Sequence, residues 1–272
     1  MKINILATQW GSESYSAEGF FDKVLAENYD GIEINMPQNG AYISSFLRKL
    51  EEVRAKQDFA FVGQAVLSLR QESFKEQYER YEKRLFELCD LQPDFINAQT
   101  GKDFYSFDEN CHLIELAMNI SAKRNIPILH ETHRGKFSFH ALGLLPYLEK
   151  FPEIKITADL SHFCCVSESL LLGQDEILEQ IFPFVYHIHA RIGFEEAPQV
   201  NDFTAPEWEN HVAQYLKWWQ RILEINKDKS SFSFLTEFGP EPYMPTLPFT
   251  QSPVTNQWKT NVAMKNLLRK TF

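Results

Sequence analysis

Eight times along this chain a short apolar, β-rich run is followed by a turn-rich stretch and then by a longer segment of helical period. No sequence repeat accompanies the pattern, so the regularity lies in the order of elements. The runs read as strands cover 3–7, 31–35, 60–66, 95–99, 126–131, 154–159, 185–189 and 232–237. The segments read as helices cover 17–27, 44–57, 74–89, 108–124, 141–151, 174–182, 206–226 and 256–269. Strands that are apolar throughout and alternate with helices imply a parallel sheet covered on its faces. Eight such units imply closure, and the expected fold is α/β, a (β/α)8 TIM barrel forming a single domain over residues 1–272. A doubly wound Rossmann sheet is the rival, but no GxGxxG follows the first strand and no GxxxxGK[ST] occurs anywhere.

Composition narrows the partners. Lys and Arg number 27 against 37 Asp and Glu, a net charge of −10, and no basic run is dense enough to track a phosphate backbone, so nucleic acid is not an expected partner. The first ten residues are too short and polar for a signal segment, and no stretch approaches the ~18 apolar residues of a membrane helix. A soluble, cytoplasmic protein without a membrane partner is the expectation, and a homo-oligomer is compatible with it. Cys89, Cys111, Cys164 and Cys165 show no CxxC spacing and read as reduced, structural thiols.

In an eight-fold barrel the working residues sit at the C-terminal ends of the strands and in the loops that follow. The second half of the chain is unusual there. Strand five ends His130-Glu131-Thr132-His133-Arg134-Gly135, strand six ends Ala158-Asp159-Leu160-Ser161-His162, strand seven is Tyr186-His187-Ile188-His189-Ala190-Arg191, and strand eight ends Thr236-Glu237-Phe238-Gly239. Alternation places Glu131 and His133 on one strand face, and His187, His189 and Arg191 on another. Glu131, Asp159, His189 and Glu237 form a mixed oxygen and nitrogen set that suits one divalent ion, Mn²⁺, Mg²⁺, Co²⁺ or Zn²⁺. A lone strand-end carboxylate is commonly a surface group or a helix cap, and a lone His a packed side chain. Four successive strands each delivering an ionisable group to one rim are harder to explain that way, because converging charges need a partner. Both His187 and His189 remain candidates for the nitrogen ligand.

These residues carry a resemblance. The motifs Leu129-His130-Glu131-Thr132-His133-Arg134-Gly135, Asp159-Leu160-Ser161-His162, His187-Ile188-His189-Ala190-Arg191 and Glu237-Phe238-Gly239-Pro240, in this order on an eight-unit layout, resemble the xylose-isomerase-like barrel family, and within it the sugar phosphate isomerase/epimerase-like proteins. In ketose 3-epimerases of that family, strands five to eight supply Glu, Asp, His and Glu to one divalent ion, and the two glutamates act as acid and base. The resemblance implies that Glu131, Asp159, His189 and Glu237 hold the metal, that Glu131 and Glu237 are catalytic, and that His162 contacts substrate. The chain departs from those epimerases after strand seven, where Arg191 follows His189 by two residues and Glu195-Glu196 occupy the later loop.

Such a centre draws charge from a ketose carbonyl and acidifies the neighbouring C–H, so that carboxylates can move a proton through an enediolate. Two active glutamates give epimerisation and one gives aldose–ketose isomerisation. His133, His162, Arg191, Glu33 and Trp10 are candidate substrate contacts. The acidic, proline-bearing loops Glu195-Glu196-Ala197-Pro198 and Pro240-Glu241-Pro242 disfavour phosphate and point to a neutral ketose, aldose, polyol or inositol-like substrate. Lys102 is the objection to a neutral substrate, with a solvated surface lysine as its competing reading. The alternatives are a dehydratase or lyase of the inosose type on the same centre, and a non-catalytic sugar-binding barrel. An endonuclease would need a basic groove and more than 8 histidines.

Overall fold

A computed structural model describing residues 1–272 closes eight parallel strands into a barrel in sequence order. The strands are β1 (Lys2–Thr8), β2 (Gly31–Ile34), β3 (Ala60–Ala65), β4 (Phe95–Ala98), β5 (Ile128–Glu131), β6 (Ile156–Ala158), β7 (Val185–Ala190) and β8 (Ser231–Thr236). β8 closes on β1 from the pair Lys2–Ser231 to the pair Ala7–Thr236. Between and after them lie α1 (Ala17–Ala26), α2 (Gly40–Arg54), α3 (Phe74–Cys89), α4 (Phe107–Arg124), α5 (Ala141–Lys150), α6 (Leu160–Ser167), α7 (Asp175–Ile181), α8 (Glu209–Ile225) and α9 (Gln257–Thr271). The α/β barrel expected from the alternating pattern is the fold observed. No helix is long and apolar enough to cross a membrane.

Local sequence starts and stops the helices. Ser73 with Glu76, and Ser106 with Glu109, form reciprocal capping boxes on α3 and α4, and Asn125 ends α4 in the left-handed conformation. The helix α6 was not among the expected elements. It begins directly after β6 because Asp159 accepts the Ser161 amide as its cap, and eight residues are too few to show a helical period.

The two faces of the strands have different fates. Outward side chains such as Ile5, Ile32, Phe61, Ile96, Ile188 and Phe234 meet the helices in a cluster of 62 buried residues, whereas Leu6, Val62 and Leu235 make a separate cluster of only three. The outer layer therefore carries the apolar burial, at roughly 1.5–3 kcal/mol for each large side chain. Trp219 and Tyr215 of α8 belong to it, with the Trp219 ring 6.1 Å from that of Phe234, a helix-to-barrel contact. Gly31 lets β2 close on β3, since a Cβ there would lie 2.4 Å from the Ala60 carbonyl oxygen. A register shift pairs Ile156 with Val185 but Thr157 with His187. The inward positions above the small cluster are polar, which leaves the upper barrel free for a site.

Candidate metal centre

Barrel closure brings the strand ends together. Glu131 ends β5, Asp159 follows β6, His189 lies in β7 and Glu237 follows β8, and one ligand atom from each lies within 4.8 Å of the others. All four residues are buried, Glu237 the most exposed at 5%. His189 Nδ1 stands 2.8 Å from Glu237 Oε2 and 3.8 Å from Glu131 Oε1. Neither His189 Nδ1 nor Glu237 Oε2 is aligned for a hydrogen bond, so two buried polar atoms in the middle of the cluster are orphaned. Orphaned atoms of this kind are rare without a missing partner.

The other face of the imidazole is fully engaged. His189 Nε2 lies 3.1 Å from Glu33 Oε1, and a carboxylate only accepts, so Nε2 carries a proton and Nδ1 is the nitrogen turned toward the cluster. Glu33 Oε2 takes a second bond from His187 Nε2 at 2.9 Å, and His187 Nδ1 is bonded by the Ser233 hydroxyl at 2.7 Å. His187 is thus committed below the cluster, and His189 is the nitrogen that reaches it. Burial opposes the charge of Glu33, but the His189 and His187 imidazoles outweigh it and hold this carboxyl well below the usual range.

Electrostatics make the cluster a receptor for a cation. Burial first, then the neighbouring Glu237, pushes the Glu131 carboxyl up, and burial raises Asp159 despite the opposing charge of Arg191. His189 is raised well above its ordinary value because Glu237, Glu33 and Glu131 together overcome its burial. Arg191 is the one permanent counter-charge. It donates to Asp159 Oδ2, lies 3.7 Å from Glu237 Oε2, and donates to His162 Nε2 at 3.0 Å. Asp159 Oδ1 takes the Ser161 amide at 3.1 Å and the Ser161 hydroxyl. Oxygen and imidazole donors in this arrangement could hold a divalent ion.

A cavity of about 600 Å³ opens above the cluster. Trp10, Glu131, His133, Arg191 and Glu237 line it as expected, with Trp10 edge-on to Tyr243 at 4.9 Å between ring centroids. Three candidate substrate contacts lie outside the wall. Glu33 is fully buried beneath His187 and His189. His162 is fully buried under His133, their ring centroids 3.8 Å apart. Lys102 is only 8% exposed, neither a solvated surface lysine nor a wall residue, because Asn110 bonds its backbone inward. Lys136 stands in the wall instead. The acidic loops also turn away from it, with Glu195 bonded by His211 at 3.1 Å and none of Glu195, Glu196 or Glu241 lining the cavity.

The sequence reading missed Gln64, Asn97 and Gln99, polar residues at inward positions near the ends of β3 and β4. Gln64 donates to Glu237 at 3.4 Å, Asn97 to Glu131 at 3.0 Å, and Gln99 to Glu131 at 3.4 Å. Their alternation within apolar runs was the signal available. Lys136 and Tyr243, on loops, had none. A larger groove of about 830 Å³ between the loops after β2 and β3 contains none of the orphaned groups, and size alone does not move the site there.

No protein-family model matches the sequence, and no curated protein matches it. Solved structures do. A D-tagatose 3-epimerase-like protein shares 15% identity at a TM-score of 0.66, covering 98% of this chain and 96% of its own. A xylose isomerase-like TIM barrel protein from Mycobacterium smegmatis, in complex with magnesium, shares 11% identity at a TM-score of 0.65, covering 98% and 97%. A probable 3-DHS dehydratase involved in petrobactin synthesis, from Bacillus anthracis, shares 15% identity at a TM-score of 0.59, covering 99% of both chains. The chain has the fold of the xylose isomerase-like TIM barrels, the fold that the D-tagatose 3-epimerase-like protein also has.

Proposed function

We propose that this protein is a divalent-metal-dependent isomerase or epimerase of the xylose isomerase-like family, acting on a ketose, aldose or related polyol by proton transfer next to a carbonyl. The observation that carries the reading is the pair of orphaned atoms, His189 Nδ1 and Glu237 Oε2, inside a buried cluster of carboxylates that opens on a cavity. A divalent ion held by Glu131, Asp159, His189 and Glu237 would supply the positive charge that stabilises an enediolate.

The chain's own residues do the rest. Glu131 and Glu237 reach the cavity from β5 and from the end of β8, so one takes a proton from the carbon and the other returns it. Gln99 and Gln64 steady the two carboxylates, and Glu33 fixes the tautomer of His189. Trp10 and Tyr243 offer aromatic surface to the carbon face of a sugar.

The test is NMR in deuterated buffer with Mg²⁺-loaded protein and a panel of ketoses, aldoses and inososes. Deuterium entering at a carbon beside the carbonyl, abolished in Glu237→Gln, is the expected result. Exchange followed by loss of a hydroxyl would assign dehydration instead. Metal and sugar binding with no exchange in any compound would replace the enzyme by a binding barrel.

A further inference from the structure

We propose that the substrate of this cavity bears a negatively charged group, a carboxylate or a phosphate, and that Lys136 binds it. The inference rests on the cavity being the sugar or polyol site described above, and it reverses the neutral substrate expected from the acidic loops.

Five cations are buried in this protein: Arg84, Lys102, Lys136, Arg191 and Lys265. Three are tied down. Arg84 donates to Asn35 and to the Met36 carbonyl, Arg191 to Asp159, and Lys265 to the Glu27 carbonyl. Lys136 and Lys102 have no such partner. Lys136 is 5% exposed and faces the cavity, and the carboxylates whose charge it feels, Glu131 and Asp103, lie beyond ion-pair distance. An ammonium that no protein group accepts and that opens only on a cavity is left for whatever the cavity holds to satisfy.

The backbone holds the two lysines where they are. Phe137 N donates to the Thr100 carbonyl at 3.4 Å, lacing the loop after β5 to the loop after β4. Asn110 Oδ1 accepts from Lys102 N at 3.1 Å, and its Nδ2 donates to the Lys102 carbonyl at 3.0 Å. Gly101 permits that clamp, because its φ is +65° and a Cβ would lie 2.1 Å from Asn110 Oδ1. Lys136 N is itself bonded to the His133 carbonyl at 3.1 Å. The loops that carry the two lysines are thus constrained and laced together, with Lys136 at the wall and Lys102 off it. Burial, then repulsion by Lys102, pushes the Lys136 amine down to about 8. An anion at the wall would relieve both effects.

The topology supplies the matching geometry. β5 stands opposite β1 in the closed order, so Lys136 and Trp10 rise from opposite sides of the mouth. A sugar-sized molecule spanning it rests its carbon face on Trp10 and presents its charged end to Lys136. With Glu195, Glu196 and Glu241 off the wall, nothing in those loops repels that end.

The experiment is isothermal titration of the Mg²⁺-loaded protein with matched probes: fructose against fructose 6-phosphate, glucose against glucuronate, and inorganic phosphate alone. The charged member of at least one pair is expected to bind about tenfold tighter than its neutral partner, and Lys136→Met to bring the two within about twofold, with Lys136→Arg retaining the preference. Lys136→Met should fold with an unchanged or raised Tm, since it removes a charge that no protein group pairs with. Equal or tighter binding of the neutral sugars, no binding of any charged probe, or a preference that survives in Lys136→Met, as direct chelation by the ion would produce, overturns the proposal. Charged-probe binding lost in Lys136→Met with no C–H exchange keeps this inference and removes the isomerase reading. Exchange confined to neutral sugars does the opposite.

Discussion

The two ends of the barrel are both charged and both concave, and they differ in how the charge is satisfied. Around the N-terminal end, in a hollow of about 680 Å³, each acidic group has its partner. Asp94 takes the Phe61 amide at 2.7 Å and Arg54 at 2.8 Å, Asp30 takes the Ile5 amide and Arg269, and Lys2 pairs with Asp58 at 2.9 Å. At the C-terminal end, in a cavity of similar size, carboxylates converge with one another, polar atoms that include His189 Nδ1 and Glu237 Oε2 are orphaned, and a lysine waits without an acceptor. Neither the number of charges nor the volume separates the ends. The distinction is between charge neutralised by the fold and charge left for something the fold does not contain.

The largest test of that distinction is Glu237→Gln, expected to lower turnover by about 10²–10⁴-fold, as removal of a positioned acid or base does, in the deuterium-exchange assay. Full activity would erase the contrast. Arg191→Met should destabilise the metal-free protein by about 3–5 kcal/mol in urea unfolding, because Asp159 loses its buried counter-charge, and Mg²⁺ should recover part of the loss. Glu33→Gln should weaken Mg²⁺ binding about 10–100-fold, measured by titration calorimetry, because His189 exchanges a charged acceptor for a neutral amide that holds its tautomer less firmly.

Proton linkage sharpens the comparison further. Glu131 and Asp159 are raised in the folded protein, so their contribution to metal-free stability is present at low pH and is lost as pH rises from the ordinary carboxylate range through their folded values. His162, lowered by burial, works the other way, losing stability as pH falls below its ordinary value. Metal binding needs charged carboxylates, so the Tm increase caused by Mg²⁺ should grow between about pH 5 and pH 8, with protons released on binding. A larger increase at the acidic end would contradict the assigned ligands. The smallest effect belongs to the opposite end of the barrel. Asp94→Asn should cost about 1 kcal/mol of stability, read by urea unfolding, and leave exchange activity unchanged.

Much of this was legible beforehand where a period governed it. The outward residues Ile5, Ile32, Phe61, Ile96, Ile188 and Phe234 announce strands covered by helices, and Glu131, Asp159, His189 and Glu237 announce themselves by ending four successive strands. Gln64 and Asn97 were readable by the same alternation and were passed over. The helix α6 was hidden by its length, since Asp159-Leu160-Ser161-His162 looks like a loop until Asp159 is seen to cap it.

By itself the sequence determined the alternation of strand and helix and the strand ends that carry the ionisable groups, because these follow from spacing along one chain. Tertiary structure alone decided that His189 rather than His187 meets the carboxylates, that Arg191 neutralises Asp159, that Glu195 and Glu241 face away, and that Lys136 rather than Lys102 reaches the wall. A period states which way a side chain points. It does not state how far that side chain lies from another across a closed barrel, and loop residues have no period at all.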